Sequence, residues 1–326
     1  MKEVLEKLVR AFGVSSKEER VRSVIREELS NYDFEISEDK FGNLIVHVPH
    51  DGPKLMLASH LDSVGVMVTD IDKNGLVRFA PVGDIKAHFL LGTQILFENG
   101  VEGMVYCDDK ELQDIKNEHL FIDIGARSKK EALSLVQIGS GGIFFPHMYF
   151  SKDRVISPSL DDRIGCGILV EVLKNVKKKN LRFDLYAVFT VEEEVGVKGA
   201  RTSTYEITPD IGIVVDVTPA LDFVEPKRNA IELGKGPAIK VMDGRMITNM
   251  EVRETLVNVA RKNEIPFQLE VVTTGTTDAF AMQITKEGVR TGAISIPARF
   301  IHTQGEVVDL NDVKNAISLL INYIEK

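Results

Sequence analysis

The stretch LMLASHLD, residues 55–62, is an apolar run that ends on a histidine and an aspartate. Leu55 to Ala58 are apolar without alternation, which suits a strand buried on both faces. The same form recurs along the chain. Leu185 to Thr190 leads into Glu192, Glu193 and Glu194; Ile211 to Val217 carries Asp216 near its end; Ala293 to Ile296 leads toward His302. Asp161 and Asp162 stand just before a helical pattern with Ile164, Ile168, Leu169, Val172, Leu173 and Val176 on one face. Buried strands interleaved with helices predict an α/β sheet with helical layers. In open α/β sheets ligands bind beyond the carboxyl ends of the strands, so these segments are expected to deliver His and carboxylate side chains to one rim.

Outward from these strands, helical spacing appears at both ends. Ser15 followed by Glu18 reads as a capping box ahead of Val21, Val24, Ile25 and Leu29. Leu310, Val313, Ile317, Leu320, Ile321 and Ile324 make a C-terminal amphipathic helix. Residues from about 63 to 156 have another character: Val64, Val66 and Val68 alternate, Lys73-Asn74-Gly75 offers a turn, and Asn99-Gly100 separates Ile95-Leu96-Phe97 from Gly103-Met104-Val105. Asn-Gly between such runs is a hairpin signal, so this stretch reads as a small β-rich unit inserted into the α/β domain.

Composition narrows the class. The 326 residues are 44% hydrophobic and carry a formal net charge of −9, which gives no surface for tracking phosphates and excludes nucleic acid as an expected partner. Cys107 and Cys166 form no disulfide framework, and the N-terminal MKEVLEKLVRAFG mixes charges into its apolar residues unlike a signal peptide. No apolar run reaches the length of a membrane span. A cytoplasmic, soluble chain with free thiols is the expectation.

His with Asp and Glu, and no Cys, is a borderline N/O donor set suited to zinc, cobalt or manganese. Two imidazoles plus three carboxylates exceed what one catalytic zinc takes, and fit two metals that share a bridging carboxylate. In an extended His60-Leu61-Asp62, His60 and Asp62 face the same way, so Asp62 can hold the second ring nitrogen. Taken singly, each element has a plainer reading: a polar loop histidine, a solvated acidic turn at 192–194, an Asp-Asp pair complementing a helix dipole, an Asp216 that caps. What weighs against the plain readings is that all the candidates fall where this fold class places ligands. His47, His50, His88, His119 and His147 follow no such strand and receive no role.

These segments together resemble the tetrahedral aminopeptidase family, also called the glutamyl aminopeptidase-like family. The resemblance runs nearly end to end, through SHLDSVG (59–65), IDIGARSKKEA (122–132), LDDRIGCG (160–167), VEEEVGVKGA (191–200), VVDVTPA (214–220), GKGPAIKVMDG (234–244), IPFQ (265–268), GTTDAF (275–280) and IPARFIHTQGEVVDL (296–310). It implies a three-layer, mixed-sheet, phosphorylase/hydrolase-like peptidase domain formed by residues 1–62 and 157–326. Residues 63–156 would be an inserted, PDZ-like β-rich domain for dimerisation. It also implies two divalent metal ions, zinc or cobalt. His60, Asp161 and Asp216 would bind one and Asp161, Glu194 and His302 the other, with Glu193 as general base and Asp62 orienting His60. Peptides with free N-termini would be the substrates, and the subunits would assemble as dimers or a tetrahedral dodecamer.

The chain departs from the family pattern at Leu61 and Ser63, where Met and Glu are frequent, and at Glu192, where Gln is frequent. It also has Gly83-Asp84 and Gly139-Ser140 in the insert, and Gly275-Thr276-Thr277-Asp278 where Gly-Gly-Thr-Asp is usual. Ser63 removes a carboxylate near the expected site, and none of these positions is an expected ligand. The rival readings are a related two-metal carboxypeptidase or deacylase, an endoglucanase as some relatives are labelled, and a non-catalytic shell subunit. A glycosidase needs no such histidines, and a decayed site would not keep the whole ligand set.

Overall fold

The computed structural model describes residues 1–108, 115–223 and 230–325. Four strands form the parallel centre of an eleven-stranded mixed sheet, adjacent in the order Asp184–Thr190, Lys54–His60, Ile211–Pro219 and Arg290–Arg299. Leu44–Val48 and Glu35–Glu38 extend one side antiparallel. Glu306–Asp309, Arg154–Ser157 and Tyr149–Ser151 extend the other. Ala238–Met242 and Gln268–Val271 branch from Arg290–Arg299.

Side-chain alternation divides the central strands between two layers. Leu55, Leu57, Leu185, Ala187, Ile213 and Val215 pack in one core with the helices Lys2–Arg10, Glu19–Leu29, Leu160–Asn175, Met250–Lys262 and Leu310–Ile324. Met56, Ala58, Val188, Val214 and Ala293 face the other way, against the helices Lys198–Ile207 and Asp278–Gln283. Burying one such side chain is worth about 1.5–3 kcal/mol, which is why these runs have no polar alternation. His60 and Asp216 continue the parity of Ala58 and Val214, so both lie on the second face, His60 as the last residue of its strand and Asp216 toward the end of its own.

The β-rich insert is a closed barrel. Its strands follow the order Gly65–Ile71, Val77–Val82, Leu120–Asp123, Glu102–Cys107, Gln94–Phe97 and Gly141–Phe144, paired antiparallel. Val66, Val68, Val77, Ile95, Phe97, Val105, Ile122 and Phe144 fill its own core. The expected turns at 73–75 and 99–100 lie between paired strands. Tyr149–Ser151 and Arg154–Ser157 already belong to the large sheet. The chain therefore returns to that sheet ahead of residue 157, the expected boundary. A short strand signal does not say which sheet will take it.

The capping box expected at Ser15 and Glu18 is not formed. The helix begins at Glu19, with Glu18 at its N-cap position and no side-chain cap. The Ser15 hydroxyl donates instead to Asp62 at 2.6 Å, and Glu18 Oε1 accepts the amides of Ser16 and Glu192 at 2.8 and 3.2 Å. Buried tertiary acceptors have outcompeted the local bond that spacing suggests. The helix expected after Asp162 is present, and the dihedrals at Asp161 and Asp162 are non-helical, so the regular helix starts beyond them.

Candidate active site

Three strand ends, one helix start and one loop converge on Asp161. His60 Nε2 lies 3.0 Å from Asp161 Oδ1 and 3.9 Å from Asp216 Oδ1. On the other side, His302 Nε2 lies 3.2 Å from Asp161 Oδ2 and 3.4 Å from Glu194 Oε2. Asp161 thus stands between two half-sites, one with His60 and Asp216, the other with His302 and Glu194. The five expected ligands come from widely separated segments and meet here.

Asp161 and Asp162 are distinguished by their surroundings. Asp162 is wholly buried, and its carboxylate accepts from the Ser59 hydroxyl and from the amides of His60 at 3.3 Å and Gly165 at 3.1 Å. A Cβ on Gly165 would fall 2.4 Å from both Asp162 oxygens, so glycine there makes room for the carboxylate. Two groups of donor atoms lie mutually within 4.8 Å, namely those of His60, Asp161 and Glu194, and those of His60, Asp162 and Asp216. Protein donors engage both oxygens of Asp162, whereas Asp161 has its oxygens turned to the two histidines.

Asp62 does more than the sequence suggested. Its carboxylate lies 3.4 Å from His60 Nδ1, but the nearer acceptor is its own carbonyl oxygen at 3.0 Å. The carboxylate also accepts the amides of Glu193 at 3.0 Å and Glu194 at 3.2 Å. It therefore ties the end of one strand to the turn that follows another. That turn is not extended: Glu192 has φ 54°, and the amides of Gly196 and Val197 bond back to the Glu193 carbonyl.

Sequence reasoning missed Glu306. Its buried carboxylate accepts the Asp161 amide at 3.0 Å and the His302 amide at 2.8 Å, clamping two expected ligands through their backbones. An acid four residues after a candidate histidine was the available signal. Asp278 opens the helix Asp278–Gln283. It is buried, accepts from Thr190 Oγ1 at 2.5 Å, and has its other oxygen without a hydrogen-bond partner. Cys166 is a buried thiol that donates to the His60 carbonyl at 3.1 Å.

The protein atoms alone are electrostatically unbalanced. Burial, reinforced by neighbouring carboxylates, raises Glu193 well above the usual range and raises Glu194 as well. The same causes push Asp216 and Glu306 each up to about 8. Burial opposes charge on the histidines too, yet Asp161 with Asp62 raises His60, and Asp161 with Glu194 carries His302 to about 12. Glu194 Oε1 is buried without a hydrogen-bond partner. Crowded carboxylates, an orphaned oxygen and two inward-facing imidazoles form a donor set that fits divalent cations.

A barrel-bearing α/β peptidase fold with a His-carboxylate cluster at the strand ends defines the class, and comparison with known proteins agrees. The family described as M42 glutamyl aminopeptidase matches residues 42–319, and the chain belongs to that family. A protein of Acetivibrio thermocellus is 43% identical over 327 residues, covering 99% of this chain and 98% of its own. The lysyl aminopeptidase of Pyrococcus furiosus is 36% identical, covering 99% and 96%. The solved structure of the Pyrococcus horikoshii TET1 peptidase, described as able to assemble into a tetrahedron or a large octahedral shell, superposes with a TM-score of 0.91. It is 31% identical and covers 100% of this chain and 99% of its own.

Proposed function

We propose that the cluster around Asp161 is a two-cation centre that hydrolyses the first peptide bond of peptides with a free N-terminus. The observation that carries this reading is Asp161 presenting one oxygen to His60, which also faces Asp216, and the other to His302, which also faces Glu194. His60, Asp161 and Asp216 would hold one cation, and Asp161, Glu194 and His302 the other. Zinc or cobalt suits these donors. Bound there, the cations would supply the positive charge that acidifies water and polarises the scissile carbonyl.

The chain's own groups do the rest. Glu193 receives the proton of the attacking water and passes one to the leaving amine. Asp62 sets the placement of Glu193 through its amide and orients His60. The surplus of carboxylates beside the cations attracts the α-ammonium of a peptide. A carboxypeptidase or deacylase would instead need a free cationic group for a substrate carboxylate. Lys240 and Arg299, on strands beside the site, are paired with Glu270 at 3.1 Å and Asp222 at 2.7 Å.

We further read residues 1–62 with 157–326 as the catalytic domain, joined by the strands Tyr149–Ser151 and Arg154–Ser157 of its sheet, and the barrel within 63–156 as the oligomerisation domain, the subunits forming dimers or a dodecamer. No described helix is long and apolar enough to cross a membrane, and a cytoplasmic peptide pool is the proposed source of substrate. The test compares short peptides with free and N-acetylated termini, before and after chelation with metal loss confirmed by elemental analysis. Cleavage of the free-amine peptides alone, lost on chelation and restored by zinc or cobalt, is expected. Equal rates on both termini, or full activity without metal, would overturn the reading.

A further inference from the structure

We propose that the Gly83–Asp84 segment of the inserted barrel is a positioning element for the half-site of His302 and Glu194, acting through the His302 ring and the Glu194 side chain. The inference rests on the two-cation reading above. His302 Nδ1 lies 2.8 Å from the carbonyl oxygen of Asp84, a residue 218 positions away that follows the barrel strand Val77–Val82. A carbonyl oxygen only accepts, so in a neutral imidazole it places the proton on Nδ1 and leaves the Nε2 lone pair free for a cation. That Nε2 is the atom facing Asp161 and Glu194. The His302 amide is held separately by Glu306, which fixes the loop but not the ring.

Gly83 makes the second contact. Its φ is +81°, and a Cβ there would lie 2.7 Å from Val64 Cγ1 and 3.4 Å from both Cβ and Oε2 of Glu194. A side chain there would have to displace Val64 and would come into van der Waals contact with Glu194, so the glycine keeps this part of the barrel seated beside the half-site. One barrel segment therefore touches both members of one half-site, while His60 and Asp216 take their settings from strands of the large sheet. The insert is part of the catalytic centre as well as an appended unit.

Gly92 supplies the matching control. It lies in the same barrel with φ +76°, and a Cβ there meets nothing within 4 Å. Gly83→Ala and Gly92→Ala therefore share the backbone strain and differ in the contact. The two variants and the wild type should be titrated with zinc against a chromophoric chelator, with bound metal counted by mass spectrometry. Loss of such a supporting contact typically weakens metal binding about 10–100-fold. Gly83→Ala is expected to weaken one of two cations by that factor and leave the other unchanged, while Gly92→Ala binds both as the wild type does. Two wild-type affinities in Gly83→Ala, or the same loss in Gly92→Ala, overturns the inference while leaving the two-cation reading intact. A wild type that binds no pair of cations overturns both. Should Gly83→Ala fail to fold, a crystal structure of the zinc-loaded wild type decides. The inference requires His302 Nδ1 within about 2.7–3.2 Å of the Asp84 carbonyl, and a ring turned to another acceptor overturns it.

Discussion

At the residue scale the sharpest question is how two adjacent glutamates divide the work. Glu193 and Glu194 offer their amides to the same Asp62 carboxylate, so their backbones are set together and their side chains diverge from a turn. Glu194 Oε2 meets His302, whereas Glu193 responds to the charges of His60, Asp278 and Asp216. In the proposed roles, Glu193→Gln keeps the shape and removes the basic oxygen. It should retain two metals per chain and lose about 10²–10⁴ in kcat. Glu194→Gln should bind one cation more weakly, with activity partly recovered in excess metal. Metal content and kcat measured on the same preparations test the division; a Glu193→Gln protein that loses a metal while Glu194→Gln keeps both would reverse it. The candidate ligands were legible in the sequence because each follows an apolar run or precedes a helical one. Glu306 was not, because its contribution is made through two backbone amides that only the folded chain brings within reach.

At the scale of elements, the layer of helices over the first core is tied by a charge cluster. Glu28, on the helix Glu19–Leu29, pairs with Lys174 of Leu160–Asn175 at 2.5 Å and with Lys7 of Lys2–Arg10 at 2.6 Å. Hydrogen bonds from Lys174 and then Lys7 hold its carboxyl below the usual range. A group whose pKa falls on folding adds stability above its unfolded value, near pH 4.3, and loses it as pH drops through the folded value. Glu28→Gln should therefore lower the melting temperature by about 1–3 °C at pH 7, the modest effect of a partly solvated cluster. The gap to wild type should close below about pH 4. A gap that persists in acid would mean that the loss is one of packing. Glu19–Leu29 and Leu160–Asn175 were legible from apolar spacing, while Lys2–Arg10 was not read as a helix. The expected capping box does not form, since Ser15 and Glu18 direct their side chains to Asp62 and to the amides of Ser16 and Glu192.

At the scale of the whole molecule, the barrel and the α/β domain meet at the candidate site and along a small apolar seam of Phe12, Val14 and Ile143. The proposed oligomer gives a direct measurement. A 36.3 kDa chain should sediment at a multiple of that mass at micromolar concentration with metal bound, and a monomer under those conditions would count against assembly through the barrel. The amino-acid sequence by itself determined the class of fold, the presence of an insert and the residue types of the chemistry. Apolar runs without alternation, Asn-Gly turns and strand-terminal His and carboxylates are local patterns with local physical causes. Only the tertiary structure decided that Glu306 clamps two of the candidate ligands, that Asp62 holds the acidic turn, and that the barrel reaches His302. Those are matters of hydrogen-bond competition and close backbone approach between segments far apart in the chain, and no periodicity or spacing records them.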